Sequence, residues 1–201
     1  MCVLVPFAAD DPKTRLDGAL GPTERAEFAR TMLRDVCEAV AATGREPTVL
    51  STAPLEVSFP VVVDDRPLTA AINARLEPPT AVVMADLALA TPAAVERLFA
   101  PDADVVLAPG LGGGTNAAVV RHDDFAVDYH GVSIRDHRRR AREVGADLAT
   151  VDSVRLAVDV DEPRDFVELL LHGDGRAREW LREAGFEAVA TDGRVDVRRD
   201  D

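Results

Sequence analysis

The sequence contains little cysteine and no long apolar segment. Cys2 and Cys37 are its two cysteines, which is too few for a disulfide framework, so we expect a reduced, cytoplasmic protein. No segment approaches the ~18 consecutive apolar residues that a membrane-spanning helix needs, and no membrane association is expected. Residues 1–7 are apolar, but they lack a basic flank and Asp10 and Asp11 follow them. This pattern predicts a first buried strand rather than a signal peptide.

Positive charge is also scarce. The chain has 36 Asp and Glu residues but 23 Lys and Arg residues, which gives a formal net charge of −13. A surface that binds nucleic acid is normally basic, so this balance argues against a nucleic-acid partner. The acidity is typical of a salt-adapted proteome, and an acidic, GC-rich genome would explain it equally well.

Lys13 is the only lysine in the sequence, and all of the other Lys and Arg residues are arginines. This usage indicates that position 13 requires a compact ammonium group, because lysine and arginine differ in size and geometry. The alternative is chance, since a single lysine has to lie somewhere in the chain.

The rest of the composition is that of a folded globule, with 47% hydrophobic residues. The length suits one domain, residues 1–201, with residues 187–201 as a peripheral tail. Strands are predicted over 3–7, 48–52, 57–63, 81–85, 103–108, 117–121 and 152–160. Helices are predicted over 22–42, 68–76, 92–99, 137–144, 162–172 and 175–184, and the tail is expected to pair as a hairpin around Asp192 and Gly193. This alternation predicts an α/β fold with a mostly parallel sheet and helices on both faces.

Polar residues follow three of the predicted strands. Lys13 and Arg15 lie in the loop after the first strand, Asp86 follows a later one, and Asp159 and Asp161 lie at the end of the last. Parallel sheets bind ligands beyond the carboxyl ends of their strands. These five residues are therefore the first candidates for a functional site.

Asp159 and Asp161 are candidate metal ligands. Side chains two residues apart on a strand face the same way, so both carboxylates can bind one ion, and Mg²⁺ or Mn²⁺ prefers oxygen ligands. Asp86 adds a carboxylate at the end of an apolar strand, where an unpaired carboxylate is costly. Alternatively, each aspartate could cap a helix instead of binding a metal. Asp161 could cap the helix that follows it, and Asp86 could cap the one that begins near Thr91 and Pro92.

The segment Gly112-Gly-Gly-Thr-Asn116 is a candidate anion site. Its glycines permit close approach of the backbone, and successive N–H groups can bind an anion, with further donors from Thr115 and Asn116. The alternative is a flexible turn between two strands. No Lys-Ser/Thr pair follows the glycines, which excludes a P-loop.

Two basic segments complete the candidates. Lys13 and Arg15 can neutralise a triphosphate, or they are ordinary cations of a solvated loop. Ser133 precedes a helix that is predicted to be basic and exposed, and it can bind an anion together with residues 138–140 or act as the N-cap of that helix. His137 has no second His or Cys at metal-ligand spacing, which argues against a zinc site.

Together, these stretches resemble the 2-phospho-L-lactate guanylyltransferases of archaea, in particular the haloarchaeal type, over about residues 1–175. The matching stretches are Lys13-Thr-Arg-Leu16, Ala85-Asp-Leu-Ala-Leu89, Gly112-Gly-Gly-Thr-Asn116, Tyr129 to His137, and Ala157-Val-Asp-Val-Asp-Glu-Pro163. The resemblance implies a Rossmann-like fold of the nucleotide-diphospho-sugar-transferase type. The chain departs from the family pattern at Ala88, usually proline, at Gly110, often acidic, and at Ile134, usually aromatic.

The resemblance also implies a role for the charged candidates. Asp86, Asp159 and Asp161 would bind Mg²⁺ or Mn²⁺. Lys13 and Arg15 would contact the triphosphate of GTP, and they are the expected catalytic residues. A phosphate nucleophile needs no general base at neutral pH, so catalysis would rest on positioning and charge neutralisation.

By the same resemblance, Thr115, Asn116, Gly131 and Ser133 would contact the phospho-acid. The expected reaction couples GTP to 2-phospho-L-lactate and yields lactyl-2-diphospho-5′-guanosine and diphosphate, in the biosynthesis of coenzyme F420. The resemblance further implies a homodimer and a product that passes to the next transferase of the pathway.

Two alternatives stay open at this point. The chain could be another nucleotidyltransferase, acting on phosphoenolpyruvate, molybdopterin or a sugar phosphate, although residues 112–116 and 129–133 favour a small acid. It could also be a catalytically silent nucleotide-binding protein of the same fold, against which the three carboxylates and Lys13 argue. The choice of acid, the choice of nucleotide and the oligomeric state are not determined by these patterns.

Overall fold

A computed structural model describes residues 1–191 and 193–200. Its strands are β1 (Cys2–Phe7), β2 (Pro47–Ser51), β3 (Val61–Val63), β4 (Thr80–Val83), β5 (Val105–Pro109), β6 (Thr115–Val120), β7 (Leu148–Thr150), β8 (Phe186–Thr191) and β9 (Arg194–Arg199). Strands β1 to β7 form one sheet in the order β3-β2-β1-β4-β6-β5-β7. Its neighbouring strands are parallel, except that β6 runs antiparallel to β4 and β5. The predicted mostly parallel sheet is confirmed.

The α-helices of the described residues are α1 (Pro22–Ala41), α2 (Leu68–Asn73), α3 (Pro92–Phe99), α4 (Ser133–Glu143), α5 (Val154–Ala157), α6 (Phe166–His172) and α7 (Arg176–Glu183), and short 3-10 helices span Thr14–Leu16 and Pro163–Asp165. Pro22 and Pro92 begin α1 and α3, where the missing N–H of proline would have had no partner in the helix. Thr91 caps α3 by accepting a backbone hydrogen bond of 3.3 Å. Within residues 1–191 and 193–200, every helix is too short or too polar to cross a bilayer.

Helices cover both faces of the sheet. Along β1, the buried side chains of Val3, Val5 and Phe7 belong to one core and that of Leu4 to another, as the two-residue period of a strand requires. The first core includes residues of α1 and α3, and the second includes residues of α2 and α4. This arrangement confirms the predicted α/β architecture. The helices cover the faces of the sheet and not the ends of its strands.

A further core lies between α1, α6, α7 and the hairpin of β8 and β9. The ring of Phe166 contacts those of Phe28 and Phe186, with centroid distances of 5.5 and 5.2 Å. Strands β8 and β9 pair antiparallel, so the predicted hairpin is confirmed, although its predicted turn residue Asp192 lies outside the described residues. That the whole chain is one domain with a peripheral tail stays a prediction.

The predicted strand over 152–160 is wrong. Strand β7 lies earlier in the chain, and it is followed by α5 and by an extended segment, residues 158–161, that belongs to no strand of the described structure. Leu156, Val158 and Val160 are buried, which produces the strand-like alternation of the sequence. Leu156 packs in the core beneath α1 and α3, whereas Val158 and Val160 pack in the core of α6 and α7. The segment therefore connects two cores instead of extending the sheet.

Candidate active site

The loop after β1 places Lys13 at the carboxyl ends of the strands. Lys13 and Asp11 have positive φ angles of 57° and 42°, which is uncommon for residues other than glycine. Arg25 of α1 is buried and forms an ion pair of 2.6 Å with Asp11. Leu16 and Leu20 anchor the other end of the loop in the core. These contacts attach the loop to α1 and to the core on either side of Lys13.

The ammonium of Lys13 lies between two of the candidate carboxylates. Its Nζ is 2.7 Å from Asp86 Oδ2 and 2.6 Å from Asp161 Oδ1. Burial disfavours the charged amine, but the two carboxylates outweigh burial and raise the pKa of Lys13 above its usual value. Arg15 contacts the other oxygen of Asp161, and its side chain is 63% exposed. Lys13 is therefore a largely buried, charged group, whereas the side chain of Arg15 is mostly exposed.

Asp159 faces the same cluster. Asn116 Nδ2 donates to Asp159 Oδ1 over 3.2 Å. Burial raises the pKa of Asp159, and the negative charges of Asp86 and Asp161 raise it further. Lys13 thus bridges two of the three carboxylates that the sequence offered as metal ligands, and the third, Asp159, is near enough for their charges to raise its pKa.

One carboxylate oxygen in this cluster lacks a partner. Asp86 Oδ1 is buried without a hydrogen bond among the described residues, and an unpaired buried carboxylate oxygen is costly. As placed, no group of three or more His, Cys, Asp and Glu side chains in the described residues is arranged to hold a metal ion. Lys13 Nζ lies between Asp86 and Asp161. The donor set nevertheless fits a hard divalent cation, since all of its atoms are carboxylate oxygens.

The helix-cap alternatives for these residues are wrong. Asp165 accepts the backbone N–H groups of Asp161 and Glu162, over 3.0 and 2.7 Å, so Asp165 supplies the acceptor at that turn. Thr91, not Asp86, caps α3. The carboxylates of Asp86 and Asp161 contact Lys13 instead.

The glycine-rich segment is the turn of the β5–β6 hairpin. Gly110 N–H donates to Gly114 O (3.0 Å), and Gly113 N–H donates to Gly110 O (3.1 Å), while Gly113 has a φ of 84°. Ile134 N–H donates to Gly113 O over 3.3 Å. The loop therefore packs against the start of α4, as a turn between two strands that is closed by its own hydrogen bonds.

Asn116 directs its amide toward the last residues of α5 and the segment that follows them. Its Nδ2 lies 3.0 Å from Leu156 O and 3.2 Å from Ala157 O, in addition to its contact with Asp159. Gly110 has no room for a side chain, because a Cβ there would lie 2.4 Å from Asn116 Oδ1. Asn116 thus positions a candidate metal ligand, and the glycine that departs from the family pattern makes space for it.

Thr115 and Ser133 also meet in the structure. Thr115 N–H donates to Ser133 Oγ over 2.9 Å, and the two hydroxyl oxygens are 3.4 Å apart. Both residues are buried. Ser133 is the first residue of α4 and Val132 occupies the cap position, so Ser133 is not the N-cap. Gly131, with a φ of 50°, lies in the turn that leads into the helix.

The predicted exposure of the basic helix is wrong for one of its faces. Ser133, Ile134, His137 and Ala141 are buried and face the sheet, and His137 has no exposed surface. Its Nδ1 lies 2.8 Å from Thr115 Oγ1. The sequence patterns give His137 no functional role, although its position four residues after Ser133 places both on one helix face.

A cavity of about 280 Å³ opens beside Lys13. It runs along the ends of β1, β2 and β4, and most of its lining is apolar, with Pro6, Phe7, Leu50, Met32 and Met84 among the lining residues. The polar residues of the lining are Lys13, Thr52, Asp64, Arg66 and Asp86. A mostly apolar cleft with a cation in its lining suits a ligand that has both an organic part and an anionic group.

Known structures share this fold. A protein from Desulfovibrio desulfuricans G20, assigned to the nucleotide-diphospho-sugar transferases, superposes with a TM-score of 0.69 at 14% identity, over 90% of this chain and 94% of that one. Rv0371c from Mycobacterium tuberculosis H37Rv superposes with a TM-score of 0.54 at 17% identity, over 85% and 97% of the two chains. At these identities the likeness shows the fold alone, and it confirms the predicted fold type.

Sequence relatives extend over the whole chain. The 2-phospho-L-lactate guanylyltransferase of Natronomonas pharaonis is 66% identical over 199 residues, which is 99% of each chain. That of Haloferax volcanii is 60% identical over 204 residues, covering 100% of this chain and 99% of its own. The profile of a family described as "Guanylyl transferase CofC like" matches residues 1–200. The chain belongs to this CofC-like guanylyl transferase family.

Proposed function

We propose that this chain is a 2-phospho-L-lactate guanylyltransferase, which couples GTP to 2-phospho-L-lactate in coenzyme F420 biosynthesis. The products are lactyl-2-diphospho-5′-guanosine and diphosphate. The observation that carries the proposal is the cluster of Lys13 with Asp86, Asp159 and Asp161, in which Lys13 and Asp86 also line a cavity, in a chain that is 66% identical to an enzyme of that name.

The reaction is a displacement at phosphorus. A phosphate oxygen of the acid attacks the α-phosphorus of GTP, the new P–O bond forms, and the bond from the α-phosphorus to the bridging oxygen breaks. Diphosphate leaves with that electron pair. The nucleophile is already ionised at neutral pH, so the protein's contribution is to align the two phosphates and to offset their charge.

Lys13 and Arg15 are proposed to contact the triphosphate. Lys13 lies where the apolar cavity meets the carboxylates, so a nucleoside in the cavity would place its phosphates on the ammonium. Arg15 is largely exposed and has only ion-pair contacts to give up, with Asp161 and Glu162. Both cations can therefore follow negative charge as it moves onto diphosphate.

Asp86, Asp159 and Asp161 would hold Mg²⁺, or Mn²⁺ in its place. The unpartnered oxygen of Asp86 and the raised pKa of Asp159 both indicate a cluster with an excess of negative charge. A bound divalent ion would supply charge neutralisation at the reacting phosphates. Contact of Lys13 with a triphosphate would release the carboxylates that it now bridges.

Thr115, Gly131 and Ser133 are proposed to contact the phospho-acid, with Asn116 between this group and Asp159. The positive φ of Gly131 and the turn at Gly113 bring the start of α4 against β6. The hydroxyl pair at this junction can donate to an anionic oxygen.

A homodimer in the cytoplasm, whose product passes to the next transferase, is part of the same proposal. It rests on the family resemblance and on the low cysteine content. Light scattering of the purified chain at several concentrations would test the dimer, since a mass equal to 21.6 kDa at all of them would contradict it.

The direct test is an assay of diphosphate release. The purified chain, in buffer with KCl and Mg²⁺, should release diphosphate from GTP only when 2-phospho-L-lactate is present, and mass spectrometry should detect the guanylylated acid. The same assay over a grid of acids and nucleoside triphosphates measures selectivity. A higher kcat/KM with phosphoenolpyruvate or phosphoglycerate would contradict the proposed acid, and no release with any pair would contradict guanylyl transfer itself.

A further inference from the structure

His137 connects two segments that carry proposed substrate contacts. It lies on α4, with Nδ1 2.8 Å from Thr115 Oγ1 on β6 and Nε2 2.7 Å from the backbone nitrogen of Asp128. Its ring is packed against Phe125 and edge-on against Tyr129, with centroid distances of 6.1 and 5.1 Å. The ring is therefore held on both sides and at both nitrogens.

The contacts of the ring determine where its proton lies. A backbone N–H can only donate, so His137 Nε2 accepts from Asp128 and carries no proton. A neutral ring must then be protonated at Nδ1, which donates to Thr115 Oγ1. The ring is neutral at physiological pH because burial lowers the pKa of His137 to about 4, against the opposing effect of Asp128 and Asp136 and with a smaller contribution from Arg140.

This proton placement has a consequence for the two hydroxyl groups. Thr115 Oγ1 receives the N–H of His137, and Ser133 Oγ receives the N–H of Thr115. A hydrogen bond between the two oxygens consumes one hydroxyl proton, and the other hydroxyl proton has no acceptor within the group. The pair therefore presents a donor, which suits a phosphate or carboxylate oxygen.

We propose that His137 is a positioning residue for the acid substrate: by donating Nδ1–H to Thr115 Oγ1, it orients the hydroxyl pair of Thr115 and Ser133 so that its one free hydroxyl proton is available to the anionic acid. The inference rests on the proposed function, because it takes the acid to bind at these hydroxyls. His137 does not touch the substrate or the reacting atoms.

Two amide substitutions separate the two ring contacts. Asparagine carries its amide nitrogen near the position of Nδ1, so His137→Asn can still donate to Thr115 Oγ1. Glutamine reaches the position of Nε2, so His137→Gln can accept from Asp128 but leaves Thr115 without the donor. We expect His137→Gln to raise the KM for 2-phospho-L-lactate about tenfold, the effect of one lost hydrogen bond, with the KM for GTP within about twofold of wild type. His137→Asn should retain most of the affinity for the acid.

A control variant and a double mutant complete the kinetic test. His172→Gln changes an exposed histidine on α6 and should behave as wild type. Thr115→Val removes the hydroxyl that His137 orients, so adding His137→Gln to it should cost little more in acid KM. Equal losses in the Asn and Gln variants, equal effects on both substrates, or additive effects in the double mutant would each overturn the inference.

Failure of the inference and failure of the proposed function give different results. If wild type turns over and the Asn and Gln variants do not differ, the inference is overturned while the function stands. If wild type turns over no pair of acid and nucleotide, the proposed function and the role of His137 toward the acid are both overturned. Nitrogen-15 NMR of labelled histidine tests the geometry independently of activity, because it should show His137 protonated at Nδ1, and protonation at Nε2 would overturn the inference.

Discussion

The ammonium of Lys13 lies within 2.7 Å of two carboxylates and its side chain is 12% exposed. A guanidinium is wider and planar and would not fit between the oxygens of Asp86 and Asp161, which are contacted by a single nitrogen. The structure therefore gives a physical reason for a lysine at this position in a chain that otherwise uses arginine. A compact cation can bridge two carboxylates and can also move onto phosphate oxygens.

Lys13→Arg is expected to lower kcat/KM for GTP by ~100-fold, which corresponds to ~2.7 kcal/mol of transition-state stabilisation. Lys13→Ala should lower it further, and the KM for the acid should change little in either variant. Steady-state kinetics with GTP as the varied substrate would measure this, and circular dichroism would check the fold. If Lys13→Arg has wild-type kinetics, the single lysine is a compositional accident.

Asp161→Asn is expected to keep the fold and to lower kcat by at least ~100-fold, because it removes a proposed metal ligand that is also a partner of Lys13. Weaker Mn²⁺ binding in an electron paramagnetic resonance titration would distinguish loss of the ion from loss of the ion pair. Asp174→Asn, on the surface and paired with Arg155, is the control. Near-normal turnover of Asp161→Asn at saturating Mg²⁺ would contradict the assignment.

At the scale of elements, the β5–β6 hairpin positions groups on both sides of the sheet. Thr115 contacts Ser133 and His137 of α4, whereas its neighbour Asn116 contacts Asp159 after α5. Successive residues of a strand point to opposite faces, so one short strand connects the proposed acid contacts with the carboxylate cluster. Of the glycines in the turn, Gly110 is required for the position of Asn116, whereas Gly112 is not.

Gly110→Ala and Gly112→Ala should therefore differ. A Cβ at Gly110 would lie 2.4 Å from Asn116 Oδ1, whereas one at Gly112 meets nothing within 4 Å. We expect Gly110→Ala to displace Asn116, to lower stability by roughly 1–3 kcal/mol and to lower kcat as Asp159 loses its partner. Gly112→Ala should leave both nearly unchanged. Urea unfolding and kinetics of the two variants would check this, and equal behaviour would show that Asn116 moves at no cost.

For the whole molecule, the net charge of −13 implies mutual repulsion that salt should relieve. The Debye length falls from about 30 Å at 0.01 M salt to about 10 Å at 0.1 M and 3 Å at 1 M. We expect Tm to rise by several degrees over this range, most steeply at low salt, because the repulsion of the compact state is screened.

A charge-reduced variant is the matched control for the salt effect. Asp17→Lys with Glu56→Lys changes two exposed positions and adds two charges at each, so the net charge of −13 becomes about −9 by formal counting. Its Tm should rise less with salt, as differential scanning calorimetry would measure. The same salt dependence in both proteins would mean that the charge balance does not limit stability.

Much of the fold could be predicted because local patterns and burial agree. The apolar run of β1, the helix that starts at Pro22 and the helix that starts at Pro92 all lie where the sequence placed them. The segment over 152–160 could not be predicted from the sequence. Its alternation of apolar and polar residues is the pattern of a strand, but here it belongs to a segment that connects two cores. His137 was missed for a related reason, since a histidine among arginines gives no sign that its helix face is buried.

The sequence by itself determined the α/β architecture, the family and the residue types at the site, because strand and helix periods and short motifs are local properties of the chain. Only the tertiary structure decided which of these residues meet. Lys13 and Asp161 are 148 positions apart, yet their side chains are in contact. The tertiary structure also decided that Asn116 holds Asp159 and that His137 donates to Thr115, because a hydrogen bond depends on distances between elements that no local pattern specifies.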